Sequence, residues 1–322
     1  ALDQVLEDGL RPCRLGNIHT APQNGPRILS TPPWYAYLRI AEGCDNHCAY
    51  CVIPSLRGKY RSRPMGELLD EAAELCSAGV KELLVIAQDI TRYGTDLNGE
   101  HQLAALLRQL CKLDFHWIRL HYLYPDEITE DLIDAIASEP NILPYLDIPI
   151  QHCNDAILRA MNRRDTKDSI RKLFRTLRER IPGLVLRTSL ITGLPGEGEA
   201  EFEELCEFVQ RVRFERLGCF AYSAEEDTPA ALMDGQLDEE EKRRRAQIIM
   251  EQQYGVMEGF NRSQIGRRLT VAVEGREGRL WYGRSYMDAP DIDSRVYFSG
   301  HGPYSPGDYI EVEIDGVEGY DL

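Results

Sequence analysis

The sequence lacks a long hydrophobic run, a leader segment and a second cluster of cysteines. No stretch of its 322 residues approaches the ~18 uninterrupted apolar residues of a membrane helix, and its longest apolar runs, such as residues 83–87, have the length of a strand. The first residues, Ala-Leu-Asp-Gln, contain neither a basic region followed by an apolar stretch nor a cleavage site. We therefore expect a soluble, cytoplasmic protein with no membrane partner.

Positive charge is also scarce. The chain has 37 Lys and Arg residues against 53 Asp and Glu residues, for a net charge of −16. Such a protein repels phosphate backbones except through a local basic patch, and it attracts a basic partner over long range. The apolar fraction of 43 % excludes a disordered or fibrous chain, and the length predicts two domains.

The cysteines provide the main chemical signal. Nine cysteines in a chain without a leader argue against a disulfide framework, and only Cys44, Cys48 and Cys51 are clustered, as C-x3-C-x2-C. Three thiolates can hold a soft metal centre but leave a cubane iron–sulfur cluster one ligand short, so one iron is open to a substrate or cofactor. The alternative is a zinc site completed by His47 or a distant cysteine, although no second Cys/His pair lies at a matching distance.

Short apolar runs alternate with amphipathic segments from residue 34 onward. The predicted strands are 35–41, 82–88, 117–123, 145–150, 185–192 and 216–222. The predicted helices are 64–78, 101–113, 128–137, 155–162, 167–180 and 200–212. Six strand–helix repeats predict an α/β domain with parallel strands, either an open sheet or a partial barrel, with reactive groups at the carboxyl ends of the strands.

The two ends of the chain follow different patterns. Residues 1–33 are rich in Gly, Pro, Asn and Arg and read as a linker, whereas a long charged helix is predicted from about residue 238 to 260. After it come alternating segments at 269–274, 280–284, 295–298 and 309–314, separated by Gly, Pro and Asp, which predict a small all-β barrel. Residues 259–322 have seven basic and eleven acidic residues, a net charge of −4.

The cysteine loop, with Tyr50 before its last cysteine, resembles that of the radical S-adenosylmethionine enzymes. The resemblance implies that Cys44, Cys48 and Cys51 hold a [4Fe–4S] cluster whose open iron is chelated by S-adenosylmethionine. One electron from the cluster then cleaves the sulfonium to a 5′-deoxyadenosyl radical. The resemblance also implies a partial, TIM-like (β/α)6 barrel, which agrees with the six repeats.

Further motifs are similar to those of the methylthiotransferases in this superfamily. They lie at residues 44–63, 145–164, 186–197 and 283–293, and the C-terminal segment resembles the TRAM domain of these enzymes. The amino-acid sequences of residues 149–152, 216–229 and 283–290 are most similar to those of family members that modify an aspartate of small-subunit ribosomal protein S-twelve. The resemblance predicts a linker over 1–33 that joins a missing N-terminal domain, a radical S-adenosylmethionine core over 34–258 and a TRAM domain over 259–322.

One feature of the family has no counterpart in this sequence. Methylthiotransferases carry an N-terminal domain whose three cysteines hold a second [4Fe–4S] cluster, the site of sulfur delivery. Here only Cys13 precedes Cys44. The second cluster is therefore expected in the missing N-terminal domain, and the sulfur-transfer half of the reaction outside this chain.

The resemblance and the strand pattern together assign the cofactor contacts. The predicted S-adenosylmethionine contacts are Tyr50, Gln88, Asp89, Gln151, Arg187 and Ser189. Asp89 follows the second predicted strand, where members of the family bind the amino group of the cofactor. The alternative role of Asp89 is to cap a turn. Arg187 and Ser189 share one face of the fifth strand, and the partner of Arg187 is a cofactor or substrate carboxylate or a structural Asp or Glu. No catalytic residue is predicted beyond the cluster ligands.

The charge of the TRAM-like segment bears on the substrate. Related methylthiotransferases act on tRNA adenosine, and RNA binding needs a basic face, whereas a segment of net charge −4 suits a basic ribosomal protein. The resemblance implies β-methylthiolation of an aspartate in ribosomal protein S-twelve, with flavodoxin or ferredoxin as electron donor. The charge agrees with this substrate, which we expect to bind through the TRAM domain. The alternatives are the same chemistry on tRNA, or a non-catalytic metal-binding module that docks partners.

Overall fold

The computed structural model describes residues 17–18, 28–300 and 302–322. Most of the predicted linker and Cys13 lie outside the described residues. The strands are β1 (Tyr35–Arg39), β2 (Ala41–Glu42), β3 (Arg61–Ser62), β4 (Glu82–Ile86), β5 (Trp117–Leu120), β6 (Ile142–Asp147), β7 (Val185–Thr192), β8 (Arg216–Ala221), β9 (Arg268–Glu277), β10 (Leu280–Arg284), β11 (Val296–Phe298) and β12 (Tyr309–Glu313). The helices are α1 (Ile53–Arg57), α2 (Met65–Ser77), α3 (Thr95–Asn98), α4 (Leu103–Leu110), α5 (Glu130–Ser138), α6 (Asp155–Ala160), α7 (Lys167–Arg180), α8 (Glu199–Val212) and α9 (Glu239–Arg262).

The six predicted strand–helix repeats form one parallel sheet in the order β1-β4-β5-β6-β7-β8. Each strand is added on the same side of the previous one, and right-handed crossovers then place the connecting helices on a single face. The sheet curls around its other face. The strand order thus decides the question that spacing left open, in favour of a partial barrel whose open seam lies between β1 and β8.

Local sequence explains why the elements form where they do. β4 and β5 are short, nearly continuous buried runs, as expected for strands covered on both faces. α2 buries Leu68, Ala72 and Leu75, which are spaced on one helical face. α7 begins at Thr166, whose hydroxyl accepts the amide of Ser169 at 3.2 Å in a capping box.

The C-terminal segment is a four-stranded antiparallel sheet in the order β11-β10-β9-β12, as expected for a TRAM domain. Its apolar core is continuous with Trp117, Leu143, Tyr145 and Val185, which lie at or near the starts of the parallel strands. We call this end of the barrel, at the N-terminal ends of its strands, the barrel floor. α9 runs unbroken across residues 258 and 259, so the predicted domain boundary lies inside a helix and stays a prediction.

A buried ionic cluster joins the two domains at the barrel floor. Glu82 accepts hydrogen bonds from Arg119 Nε at 2.8 Å and from an Arg284 guanidinium nitrogen at 2.7 Å, and all three side chains are at most 2 % exposed. Burial alone would raise the pKa of Glu82, but the positive charges of Arg284 and Arg119 outweigh it and lower the pKa to about 2. The TRAM domain is therefore attached through charges that have no access to water.

None of the helices in the described part of the chain combines the length and the apolar content that crossing a bilayer requires.

Candidate functional site

The cysteine loop begins directly after β2, at Gly43. This residue has φ of 82°, and a Cβ there would lie 2.2 Å from the carbonyl oxygen of Lys59 and 2.5 Å from that of Gly58. The backbones approach so closely because the amide of Cys44 donates to the Gly58 carbonyl at 3.2 Å. Only glycine fits this position without displacing the loop.

The loop faces a cavity of about 440 Å³ at the carboxyl ends of the parallel strands. Seven of the predicted site residues line it: Cys44, Cys48, Tyr50, Cys51, Gln88, Gln151 and Ser189. They come from the cysteine loop, from the residues after β4 and β6, and from β7 itself. Such an arrangement, in which side chains from several strand ends surround one cavity, is typical of active sites on parallel barrels.

Two of the three thiols, those of Cys44 and Cys51, lie in surroundings that favour their neutral form when no metal is bound. Burial raises the pKa of Cys44 to about 11, and it also raises the pKa of Cys51. Because metal centres bind thiolates, loading this site releases protons. The hydroxyl of Tyr124 lies 3.6 Å from Cys48 Sγ, close enough to hydrogen-bond to that sulfur.

The donor set fits an iron–sulfur cluster better than a single ion. Within residues 17–18, 28–300 and 302–322, no three His, Cys, Asp or Glu side chains are placed to ligate one metal ion. His47, the proposed fourth ligand of a zinc site, is exposed. A cubane cluster is larger and spreads its three cysteines more widely around the same cavity.

Gln88 and Asp89 support the cysteine loop from the end of β4. Gln88 Oε1 accepts the amide of Gly43 at 2.6 Å. Asp89 is buried, is not among the lining residues, and accepts Asn46 Nδ2 at 2.9 Å and the amide of Thr91 at 3.0 Å. Asp89 therefore caps a turn and holds Asn46, and its contact with S-adenosylmethionine stays a prediction.

Two cavity residues have a left-handed backbone, which is uncommon outside glycine. Gln151 has φ of 68° and Tyr122 has φ of 64°. Gln151 is held there by β7, because its amide donates to the Ser189 carbonyl at 3.0 Å and its carbonyl accepts the amide of Ile191 at 2.8 Å. Strain of this kind is found where side chains are aimed at a ligand.

Arg187 is positioned differently from Ser189, although both lie on β7. Its guanidinium pairs with Asp147 at 2.8 Å and with Asp293 of the TRAM domain at 3.7 Å, and it lines a separate cavity near the barrel floor. Its partners in the structure are therefore structural Asp side chains, which was one of the two alternatives predicted for Arg187. A role for Arg187 in holding the cofactor stays a prediction.

Sequence reasoning missed Tyr124 and Arg163, which line the same cavity. The Arg163 guanidinium lies 4.1 Å from the centroid of the Tyr124 ring and donates to the Pro149 carbonyl at 3.0 Å. Tyr124 follows the carboxyl end of β5, as Gln88 follows β4, so strand-end position was the available signal. Arg163 lies within the 145–164 motif, but its role depends on a contact between distant segments.

Comparisons with known proteins agree with this arrangement. Residues 38–209 match the Radical SAM superfamily and residues 265–322 match the TRAM domain. Two curated relatives carry the name ribosomal protein uS12 methylthiotransferase RimO. That of Caldanaerobacter subterraneus subsp. tengcongensis is 48 % identical over 92 % of this chain and 68 % of that protein. That of Thermoanaerobacter sp. (strain X514) is 45 % identical over 99 % of this chain and 73 % of that protein.

Solved structures show the same fold at low sequence identity. The methyltransferase TsrM from Kitasatospora setae, with cobalamin and a [4Fe–4S] cluster bound, has a TM-score of 0.52 and 17 % identity over 62 % of this chain and 38 % of that one. The coproporphyrinogen III oxidase HemN from Escherichia coli has a TM-score of 0.51 and 19 % identity over 71 % of this chain and 54 % of that one.

The cofactors of this superfamily are a [4Fe–4S] cluster and S-adenosylmethionine, for which the three-cysteine cavity provides ligands and space. The barrel, the cysteine loop at the ends of its strands and the TRAM domain, together with 48 % identity over nearly the whole chain, lead to one conclusion. The chain belongs to the radical S-adenosylmethionine superfamily and, within it, to the RimO family of methylthiotransferases.

Proposed function

We propose that this chain generates the substrate radical in the methylthiolation of an aspartate in ribosomal protein S-twelve. The observation that carries the proposal is the cavity of about 440 Å³, in which three cysteines of one loop face polar residues from the ends of β4, β6 and β7. Relatives that are 45–48 % identical and carry the name of this activity support it.

The roles of the chain's own residues follow from their positions around the cavity. Cys44, Cys48 and Cys51 would hold the cluster, and Tyr50, Gln88, Gln151 and Ser189 would surround the cofactor. When bound, the cluster and S-adenosylmethionine would supply the radical chemistry that removes a hydrogen atom from the β-carbon of the aspartate. Arg163 would contribute a fixed positive charge beside Tyr124 and the buried sulfur of Cys48.

The charge of the chain supports a basic protein as substrate. The TRAM segment has a net charge of −4 and the whole chain −16, and an acidic surface attracts a basic ribosomal protein over long range. We propose that the TRAM domain contributes to this binding, that flavodoxin or ferredoxin supplies electrons, and that the reaction takes place in the cytoplasm. The second cluster, which the family uses for sulfur delivery, is not assigned to residues of this chain.

The first test measures radical formation. We expect the anaerobically reconstituted protein to show iron–sulfur absorption and, after reduction and addition of S-adenosylmethionine, to release 5′-deoxyadenosine. Cys48→Ala should abolish both signals. The matched control is Cys76→Ala, a half-buried helix cysteine that packs against the core and does not line the cavity. If Cys48→Ala kept both signals, the assignment of Cys48 as a ligand of the cluster would be wrong.

The second test identifies the substrate without requiring sulfur transfer. Ribosomal protein S-twelve labelled with deuterium at the aspartate β-carbon should pass deuterium into 5′-deoxyadenosine, because that carbon is the proposed site of hydrogen abstraction. A tRNA substrate supplied at the same concentration serves as the comparison. If 5′-deoxyadenosine formed with the labelled protein contained no deuterium, and if its formation instead depended on tRNA, the substrate would be tRNA and not the protein.

A further inference from the structure

A basic groove lies on the outside of the barrel, and none of its lining residues lines the cysteine cavity. It is a cavity of about 670 Å³ between α7 and the C-terminal end of α8. Its cationic lining residues are Arg171, Lys172, Arg175, Arg178 and Arg211. Only Asp168 and Glu179 oppose them among the lining residues, so the lining has a net charge of +3 in a chain of net charge −16.

Part of this positive charge is already used within the fold. Arg178 donates to the carbonyls of Val212 at 2.6 Å and Arg213 at 2.9 Å, and it pairs with Glu215 at 2.9 Å. Arg178 therefore ties α7 to the segment after α8. This contact fixes the distance between the two walls of the groove, which is a requirement for a preformed binding surface.

Arg171 pairs with Asp168 at 3.7 Å and Arg211 with Glu207 at 2.9 Å, whereas the remaining positive charge has no acidic partner among the described residues. Lys172 and Arg175 on α7 and Arg213 after α8 are exposed, and within the described part of the chain none of their side chains makes a hydrogen bond or ion pair. Arg213 lines an adjoining cavity together with Arg178 and Arg211, so the positive surface continues around the end of α8. Unpaired arginines in a fixed arrangement are suited to phosphate, which accepts two parallel hydrogen bonds from one guanidinium.

The position of the groove limits what can bind there. Arg213 lies three residues before the start of β8, whereas the cysteines lie at the carboxyl ends of the strands. A molecule in the groove is thus not the group that reacts in the cysteine cavity. A basic ribosomal protein would also be repelled by it, so the groove fits a polyanion that accompanies the substrate.

We propose that the basic groove binds the phosphate backbone of RNA. This inference rests on the proposed function, because a ribosomal protein substrate is found next to ribosomal RNA. The acidic remainder of the chain would face the basic protein while the groove holds the neighbouring phosphates. The contact is to the backbone and carries no base specificity.

The test compares RNA binding by charge variants of the whole chain. Fluorescence anisotropy with labelled oligouridine is measured over a series of salt concentrations. Lys172→Gln/Arg175→Gln/Arg213→Gln should lower affinity at low salt by about tenfold or more and reduce the slope of log affinity against log salt by about 2, since each neutralised phosphate contributes ~0.7 for single strands. The matched control removes three exposed charges elsewhere, Lys112→Gln/Arg159→Gln/Arg243→Gln, and should bind as the unmodified protein does.

Two further measurements separate the possible failures. Lys172→Arg/Arg175→Lys/Arg213→Lys keeps the charge and should restore binding, and the neutral groove variant should release as much 5′-deoxyadenosine as the unmodified protein. Equal RNA affinity for the groove and control variants would overturn the inference, as would displacement of the RNA by polyglutamate at equal charge, which would indicate an acidic protein. If RNA binding behaves as expected but no 5′-deoxyadenosine forms, the groove assignment stands and the proposed function fails.

Discussion

The guanidinium of Arg187 lies between two carboxylates near the barrel floor, 2.8 Å from Asp147 and 3.7 Å from Asp293. We expect Arg187→Gln to lower the free energy of unfolding by about 3 kcal/mol, because it leaves two carboxylates without their buried partner. The affinity for S-adenosylmethionine should change little. Chemical denaturation and equilibrium dialysis with the cofactor measure the two effects.

Ser189 provides the matched control on the same strand. Ser189→Ala should lower cofactor affinity with a stability change below about 1 kcal/mol, because its side chain lines the cysteine cavity and is only partly buried. If Arg187→Gln instead lost affinity for the cofactor and kept its stability, Arg187 would bind the carboxylate of the cofactor directly.

Gln151 separates backbone strain from side-chain function. Gln151→Gly relieves about 1–2 kcal/mol of backbone strain at the φ of 68°. It also increases the conformational entropy of the unfolded chain, so the free energy of unfolding should change by less than about 1 kcal/mol. Cofactor affinity should fall, because the amide that lines the cavity is lost. Thermal unfolding and cofactor binding are measured on the same sample, and unchanged affinity would remove Gln151 from the site.

At the scale of elements, the turn at Gly43 determines how the cysteine loop leaves β2. Gly43→Ala places a Cβ 2.2 Å from the Lys59 carbonyl oxygen, and a backbone atom cannot move aside as a flexible side chain can. We expect the variant to incorporate less iron on reconstitution and to release less 5′-deoxyadenosine. Iron content per chain and product yield are the measurements.

Gly66→Ala is the control for that substitution. Gly66 lies in the first turn of α2, and a Cβ there meets no atom within 4 Å. The variant should keep its iron and gain roughly 0.4–1 kcal/mol of stability, as expected for glycine replaced by alanine in a helix. Equal iron loss in both variants would mean that the cysteine loop tolerates movement at Gly43.

The same elements show how far the sequence could predict the structure. Apolar runs such as 185–192 and the amphipathic 167–180 were predicted at their observed limits, because burial on one or both faces leaves a periodic pattern. The strand predicted at 145–150 instead spans Ile142–Asp147, since pairing with β7 rather than apolar content sets its end. The β2–β3 ladder was missed, because two-residue strands have no period to detect.

The site residues also differ in whether they could be predicted from local sequence. Cys44, Cys48 and Cys51 carry their chemistry in sequence spacing, so they could be found without a structure. Arg163 could not, because its place beside Tyr124 depends on residues 39 positions apart meeting above the barrel. The pairing of Arg187 with Asp293 likewise joins two domains, and no local pattern predicts it.

At the scale of the whole molecule, Glu82 holds the domain junction together. Glu82→Gln should lower the free energy of unfolding by about 3–5 kcal/mol, because it leaves Arg119 buried without a counter-charge and Arg284 with Glu274 alone. Glu277→Gln, on β9 of the antiparallel sheet, breaks the exposed pair with Arg295 and should lower the free energy of unfolding by less than about 1 kcal/mol. Chemical denaturation distinguishes the two, and equal losses would mean that the buried cluster contributes little.

The pH dependence of this junction follows from the same carboxylate. The pKa of Glu82 is lowered from 4.5 to about 2 in the folded chain, so its stabilising contribution is fully present above pH 4.5. That contribution decreases as the pH falls from 4.5 towards 2, where Glu82 takes up a proton. Denaturation curves recorded across this range should lose less stability in Glu82→Gln than in the unmodified protein.

The contact between Glu82 and Arg284 also constrains the order of events during synthesis. The two residues are 202 positions apart, so a ribosome that adds about 5–20 residues per second makes Arg284 roughly 10–40 s after Glu82. During that interval Glu82 can pair with Arg119, but its second permanent partner does not yet exist. The nascent barrel therefore reaches its final form only after the TRAM strands have been translated, although nearly all of its own sequence precedes them.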